Sequence, residues 1–217
     1  MPSAEHRTYS GRGINPHRLD AVLRHAGRSV LDVGCGNGAY VLTLADRYDI
    51  RGVDHEPFDS WNENASLFSL SDATVLKVDD ASVDTILSFE CLEHLPKAAD
   101  ALREYHRVTR QNLILTVPNC EITPGMRDSH MTYFHWTDRT HINFFTQRTL
   151  ASAIEEAGFR IVQNTLINKV AWSPLLHEVF RLPRLWPDRL GRIAGELVDR
   201  YMTRPYFMTC LVVAEKT

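Results

Sequence analysis

Long apolar runs, paired cysteines and an excess of positive charge are all missing from this sequence of 217 residues. No stretch approaches the roughly 18 apolar residues that a membrane-spanning helix needs. The opening MPSAEHRTYSGRG lacks the apolar centre of a secretory signal, so a cytoplasmic location is expected. Cys35, Cys91, Cys120 and Cys210 stand far apart, in none of the spacings of a zinc site or redox dithiol, and read as reduced thiols. With 24 Lys and Arg against 27 Asp and Glu, the formal charge is −3. Such a chain has no general field to gather phosphates, which argues against DNA as a partner and weighs against RNA. Internal repeats and low-complexity tracts are absent too.

What is present suits one well-packed domain: 44% of the residues are hydrophobic, ordinary for a globular chain of this length. Leu19, Val22, Leu23 and Ala26 recur at helical spacing, with Gly27 where a left-handed helix stop is expected. Residues 29–33 read as a strand running into Gly34, Gly36 and Gly38, residues 39–47 as a helix, and 50–54 as a strand closed by Asp54. Further strands are expected at 66–70, 83–88, 112–117, 160–167 and 207–214. Helices are expected at 97–109 and, capped by Thr146 and stopped by Gly158, up to Ala157. This alternation predicts an α/β fold, a Rossmann-like doubly wound sheet of seven strands, mostly parallel with an antiparallel C-terminal strand.

The strand, glycine loop and helix around SVLDVGCGNG, residues 29–38, form a place for a nucleotide-like ligand, because glycine lets the backbone turn sharply and come close. Gly34, Gly36 and Ala39 also satisfy the dinucleotide pattern, with Asp54 at about the right distance for a ribose diol. The loop by itself leaves NAD and other nucleosides open. Asp32 within the strand also reads as a buried structural acceptor, and Cys35 as a small loop filler.

The rest of the chain resembles the class I S-adenosylmethionine-dependent methyltransferases, in the branch of the ubiquinone-biosynthesis O-methyltransferases and natural-product tailoring enzymes. The resemblance covers about residues 17–167. It rests on VLDVGCGNG, GVD at 52–54, SDA at 71–73, VDTILSFECLEHL at 83–95, LILTVPN at 113–119 and HINFFTQRTLASAIEEAGF at 141–159. It departs from the family before the fifth strand, where RVTRQNLIL stands in place of a Pro-Gly-Gly turn. The resemblance implies S-adenosylmethionine as cofactor. Gly34, Gly36 and Gly38 would carry its methionine part, Asp54 the ribose, and Asp72 with the Ala73 amide the adenine. Ser88 and Phe89 would close over it, and Asp32, Cys35 and His55 complete the set. An NAD-dependent oxidoreductase and a non-catalytic S-adenosylmethionine-binding protein are alternatives.

Methyl transfer from a sulfonium asks the protein mainly for alignment and removal of the acceptor proton. Candidates for that work are Glu90, Glu93 and His94 after the fourth strand, and His130, His135 and His141 in the irregular stretch that follows. Glu93, His94 and His141 are the expected catalytic residues, and a hydroxyl of a small-molecule acceptor (sugar, phenol or natural product) is the expected substrate. The spacing E-x-x-E-H with a distant histidine resembles the metal site of small-RNA 2′-O-methyltransferases. It implies that Glu90, Glu93, His94 and His141 hold Mg, Mn or Zn, and it keeps a metal-assisted RNA enzyme as an alternative. Residues 119–145, polar and aromatic, and 172–206, rich in aromatics and arginine, are expected to cover the acceptor cleft, the second also offering a homodimer contact.

Overall fold

The computed structural model describes residues 13–172, 188–201 and 206–217. Strands β1 (Ser29–Val33), β2 (Asp49–Asp54), β3 (Phe68–Leu70), β4 (Val83–Phe89), β5 (Thr109–Pro118), β6 (Phe159–Lys169) and β7 (Phe207–Lys216) form one sheet in the order β3-β2-β1-β4-β5-β7-β6. Neighbours from β3 through β5 pair in parallel, and β7 runs antiparallel to β5. This is the expected Rossmann-like sheet. Strand order reverses between β1 and β4, so the carboxyl ends of those two strands flank the crevice where open α/β sheets bind ligands.

The helices are α1 (Pro16–His25), α2 (Ala39–Leu44), α3 (Ala98–Val108), α4 (Pro124–Asp128), α5 (Gln147–Glu156) and α6 (Asp188–Tyr201). In α3 the spacing of Ala101, Leu102, Tyr105 and Val108 puts four buried side chains on one face. That face meets Leu113, Leu115 and Val117 of β5 and Leu150 and Ile154 of α5 in a single core. Each such aliphatic side chain contributes about 1.5–3 kcal/mol of burial, and truncating one, as in Leu115→Ala, costs about 2–5 kcal/mol. A reciprocal bond pair between Thr146 and Thr149 starts α5. Contacts divide the chain into two compact units, Met1–Leu166 with Thr209–Thr217, and Ile167–Met208. Within the second, the Asp199 carboxylate of α6 accepts the Trp172 amide at 2.7 Å.

Three local expectations are corrected. Helix α1 ends on Ala26 in an extended conformation (φ −70°, ψ 135°), and Gly27 is not left-handed. Its reason is space: a Cβ there would lie 2.5 Å from Cβ of Asp84. Residues 66–70 do not all form a strand, since a 3-10 segment, Asp59–Leu67, takes the first two. Its Trp61 is buried and stacks on Phe68 at 4.9 Å, an aromatic contact that outweighs strand propensity. The 119–145 stretch is not wholly irregular either, holding α4, capped by the Thr123 side chain, and a 3-10 turn at Phe134–Thr137. Of the 172–206 segment, residues 173–187 and 202–205 lie outside the described residues. No helix among the described residues is long and apolar enough to cross a membrane.

Candidate active site

The glycine loop leaves the end of β1 with Gly34, Gly36 and Gly38 at φ 74°, 53° and 76°, conformations that glycine adopts without the Cβ penalty. Two of the three also need the missing side chain. A Cβ on Gly34 would fall 2.5 Å from Sγ of Cys91, and one on Gly38 would fall 2.4 Å from the Phe68 ring. Around Gly36 a Cβ would meet nothing within 4 Å, so this backbone faces open space.

Neighbouring groups strap the loop in place. The Val53 carbonyl accepts both the Gly34 and Cys35 amides, at 2.9 and 3.1 Å. The Trp61 indole N–H donates to the Gly36 carbonyl at 2.9 Å, and the Ser60 hydroxyl to that of Asn37 at 2.7 Å. Asp54, at the end of β2, accepts the Gly36 amide at 2.8 Å on one oxygen. Its other oxygen accepts the His55 amide at 2.7 Å and meets Nδ1 of His55 at 2.8 Å.

Asp32 is buried in β1. Burial, reinforced by the Asp54 charge and opposed by Arg18, pushes its carboxyl up to about 7. Burial likewise drives the Cys35 thiol far above its ordinary range, which removes it as a nucleophile. Asp72 spends one oxygen on the Thr74 amide (2.8 Å) and hydroxyl (2.7 Å), and these bonds hold it below the usual carboxylate range. Ala73 beside it is buried. The Ser88 hydroxyl meets Oη of Tyr105 at 3.3 Å. Phe89 packs against Tyr40 at 4.8 Å.

Sequence reasoning missed two residues of this rim, Arg18 and Tyr40. Helix α1, capped by the Asn15 side chain, delivers Arg18 over the Phe89 ring, 5.4 Å from its centroid. The Tyr40 hydroxyl accepts the Asn15 amide at 3.1 Å. The signal that was there to find is NPHRLD, a cap and a first-turn proline that fix where one arginine enters.

Beyond β4 a short 3-10 turn, Leu92–His94, carries the second group of candidates. Metal-capable atoms of Glu93, His94 and His141 all lie within 4.8 Å of one another. Glu93 is 1% exposed, and neither carboxylate oxygen has a hydrogen-bond partner. Burial, and then the Glu90 charge, raise its pKa well above the ordinary range. Nε2 of His94 stands 3.8 Å from it, while Nδ1 meets the Thr140 carbonyl at 3.1 Å. Burial lowers the His94 pKa, which favours the neutral ring. His141 approaches Asp138 at 3.6 Å and His94 ring to ring at 4.7 Å.

The His141 segment is tied to this turn. The Glu93 carbonyl accepts the Ile142 and Asn143 amides, each at 3.0 Å, and the Asn143 side chain donates to the carbonyls of Leu92 and Leu95 at 3.1 and 2.7 Å. Glu90, expected in the same group, is engaged elsewhere, by Arg18 and Thr116.

Residues 8–164 match the family model of the methyltransferase domain. The chain belongs to that family. It is 30% identical over 192 residues to a probable S-adenosylmethionine-dependent methyltransferase of Mycobacterium tuberculosis, covering 83% of this chain and 62% of the relative. It is 32% identical over 105 residues to the ubiquinone biosynthesis O-methyltransferase of Neisseria meningitidis, covering 42% and 44%. A solved S-adenosylmethionine-dependent methyltransferase from Archaeoglobus fulgidus superposes with a TM-score of 0.64 at 20% identity, covering 92% of each chain, and so shares the fold. The chain spans about half the length of the first curated relatives it matches, 50% and 56%. The dinucleotide reading of the glycine loop gives way to the cofactor of this family, S-adenosylmethionine.

Proposed function

We propose that this methyltransferase moves the methyl group of S-adenosylmethionine to a hydroxyl oxygen of a small-molecule acceptor, at Glu93, His94 and His141. The observation that carries the reading is Glu93, a buried carboxylate with both oxygens unpartnered beside two imidazoles. Buried polar groups are rarely left without partners, and a catalytic role or a bound ion is one reason for such an exception.

The cofactor fits the residues present. An open cradle at Gly36, the Asp54 carboxylate beside it and a buried, unpartnered Nε on Arg18 match a nucleoside carrying an amino-acid group. Gly34, Gly36, Gly38, Asp32 and Arg18 would hold the amino-acid end, Asp54 and His55 the ribose, and Asp72 and Ala73 the base. When bound, S-adenosylmethionine supplies a methyl group on a cationic sulfur that departs as a neutral thioether.

The remaining work falls to the chain. The imidazole of His141 or His94 takes the hydroxyl proton, a general-base step. The buried Glu93 carboxyl, held protonated by its surroundings, gives up its proton as positive charge develops on the imidazole beside it and then steadies that imidazolium, and Asn143 fixes the spacing between the two segments. The same convergence favours a second reading in which Glu93, His94 and His141 hold a divalent cation; one carboxylate and two imidazoles are a fitting donor set for Zn or Mn. Such an ion would act as a Lewis acid on the acceptor oxygen.

Residues 119–145 would form the cover of this site, and the four cysteines standing as thiols accord with a reducing cytoplasm. A panel of sugars, phenols, polyketides and amines, assayed for S-adenosylhomocysteine release, tests the acceptor class. Turnover is expected with hydroxyl acceptors and lost in His141→Ala; turnover with amines or RNA alone contradicts it.

A further inference from the structure

Glu90 stands one residue past β4 with φ 53°, a left-handed conformation that is uncommon for glutamate. From there a single oxygen, Oε1, accepts from Nη2 of Arg18 at 2.6 Å and from Oγ1 of Thr116 at 3.0 Å. Its own amide donates to the Thr116 carbonyl at 2.9 Å. Arg18 is 12% exposed and Glu90 25%, so the pair is only partly open to water. The guanidinium is incompletely used: Nε is buried without a partner, and the ion pair engages one of its nitrogens. An arginine offers five N–H donors in a planar fork suited to a two-point carboxylate contact. Glu90 does not supply that contact.

The cofactor of the family carries a carboxylate at its amino-acid end, the end assigned above to this rim. We propose that Glu90 is an internal stand-in for that carboxylate: it neutralises Arg18 in the cofactor-free protein and is displaced from it when S-adenosylmethionine or its demethylated product binds. The inference rests on the reading that Arg18 belongs to the cofactor site. A partly buried guanidinium with no counter-charge is costly, and Glu90 removes that cost while the site is empty. The incoming ligand must therefore break a short charge-assisted bond before making its own. Affinity for cofactor and product falls by what that bond contributes, and the product leaves sooner. The latch trades tight binding for turnover.

Calorimetric titration of the full chain with S-adenosylhomocysteine, and with 5′-methylthioadenosine, which keeps the nucleoside but lacks the amino-acid group, tests this. Glu90→Gln keeps the shape and removes the charge. It is expected to bind S-adenosylhomocysteine roughly 3- to 10-fold tighter than wild type, the worth of one hydrogen bond whose charge is discounted for its partial exposure, with 5′-methylthioadenosine unchanged. Thr116→Val, which keeps both charges and removes only the hydroxyl that holds Glu90, is expected to shift affinity in the same direction by less, and it covers the case in which Glu90→Gln does not fold. Arg18→Gln is expected to lose S-adenosylhomocysteine affinity while keeping that for 5′-methylthioadenosine. If Arg18→Gln weakens S-adenosylhomocysteine but Glu90→Gln does not tighten it, the latch is overturned and the placement of Arg18 stands. If Arg18→Gln has no effect, both fall. Equal tightening of both ligands by Glu90→Gln also overturns the latch, because the effect then has nothing to do with the carboxylate.

Discussion

One oxygen of Asp54 accepts the amide of Gly36 at 2.8 Å, across 18 residues of chain. This bond joins the end of β2 to the loop after β1, so one carboxylate shapes the glycine loop and stands ready for a ribose diol. Replacing it with alanine removes charge-assisted partners from the ligand and the tie from the loop. Asp54→Ala is expected to weaken S-adenosylmethionine binding by about 1.5–3 kcal/mol, roughly 10- to 150-fold, read by calorimetry. A folded variant with unchanged affinity contradicts the assignment.

Gly36 and Gly38 share a left-handed φ but not their surroundings, so alanine at each should fail differently. Gly38→Ala drives a methyl group into the Phe68 ring and should lower stability by about 2–4 kcal/mol, combining overpacking with strain. Gly36→Ala meets open space and should cost only the backbone strain, about 1–2 kcal/mol, while losing most cofactor affinity because the methyl group occupies the cradle. Denaturant unfolding and calorimetry on both variants separate the two effects. Equal stability losses with equal affinities would remove the cradle.

Asp32 makes folding stability depend on pH in a direction opposite to most acids. Its folded pKa is raised to about 7 by burial and the Asp54 charge. From the ordinary carboxylate range up to about 7 the folded protein therefore holds a proton that the unfolded chain has lost, and this group's contribution to stability falls as pH rises through that window. Asp32→Asn removes the titration. The melting temperature of Asp32→Asn minus that of wild type should be more positive at pH 8 than at pH 5; a difference independent of pH contradicts the raised pKa.

How far these features were legible follows from the range of the physics behind them. The glycine loop, Asp54 and the caps of α5 are local devices, a few residues long, and they leave direct marks in sequence. Gly27 was read as a local device and is not one: it answers to Asp84, more than fifty residues away. The shortened β3 has a similar cause, because the Trp61–Phe68 stack belongs to packing rather than to alternation. Arg18 and Tyr40 join the rim only through the path of α1, and motif spacing carries no record of that path. Glu90 shows the limit most plainly. Spacing groups it with Glu93 and His94, but a left-handed turn sends its carboxylate to Arg18.

Chelation separates the two readings of the Glu93, His94 and His141 cluster. With a bound divalent cation, EDTA abolishes methyl transfer, Mg²⁺, Mn²⁺ or Zn²⁺ restores it, and Glu93→Gln loses the metal in elemental analysis. With histidine alone as base, activity survives EDTA. Its rate then falls as the pH drops through the imidazole titration, at lower pH than for an ordinary histidine if His94 is the base, since burial lowers its pKa.

In the proposed reaction a hydroxyl oxygen receives the methyl group at this cluster. Its most direct test is turnover of S-adenosylmethionine carrying a ¹³C-labelled methyl, with the label's carbon shift read by NMR in the product formed from the best acceptor of the panel. An O-methyl signal from wild type that disappears in His141→Ala is the predicted result. An N-methyl or C-methyl signal, or an O-methyl signal undiminished in that variant, would contradict the account.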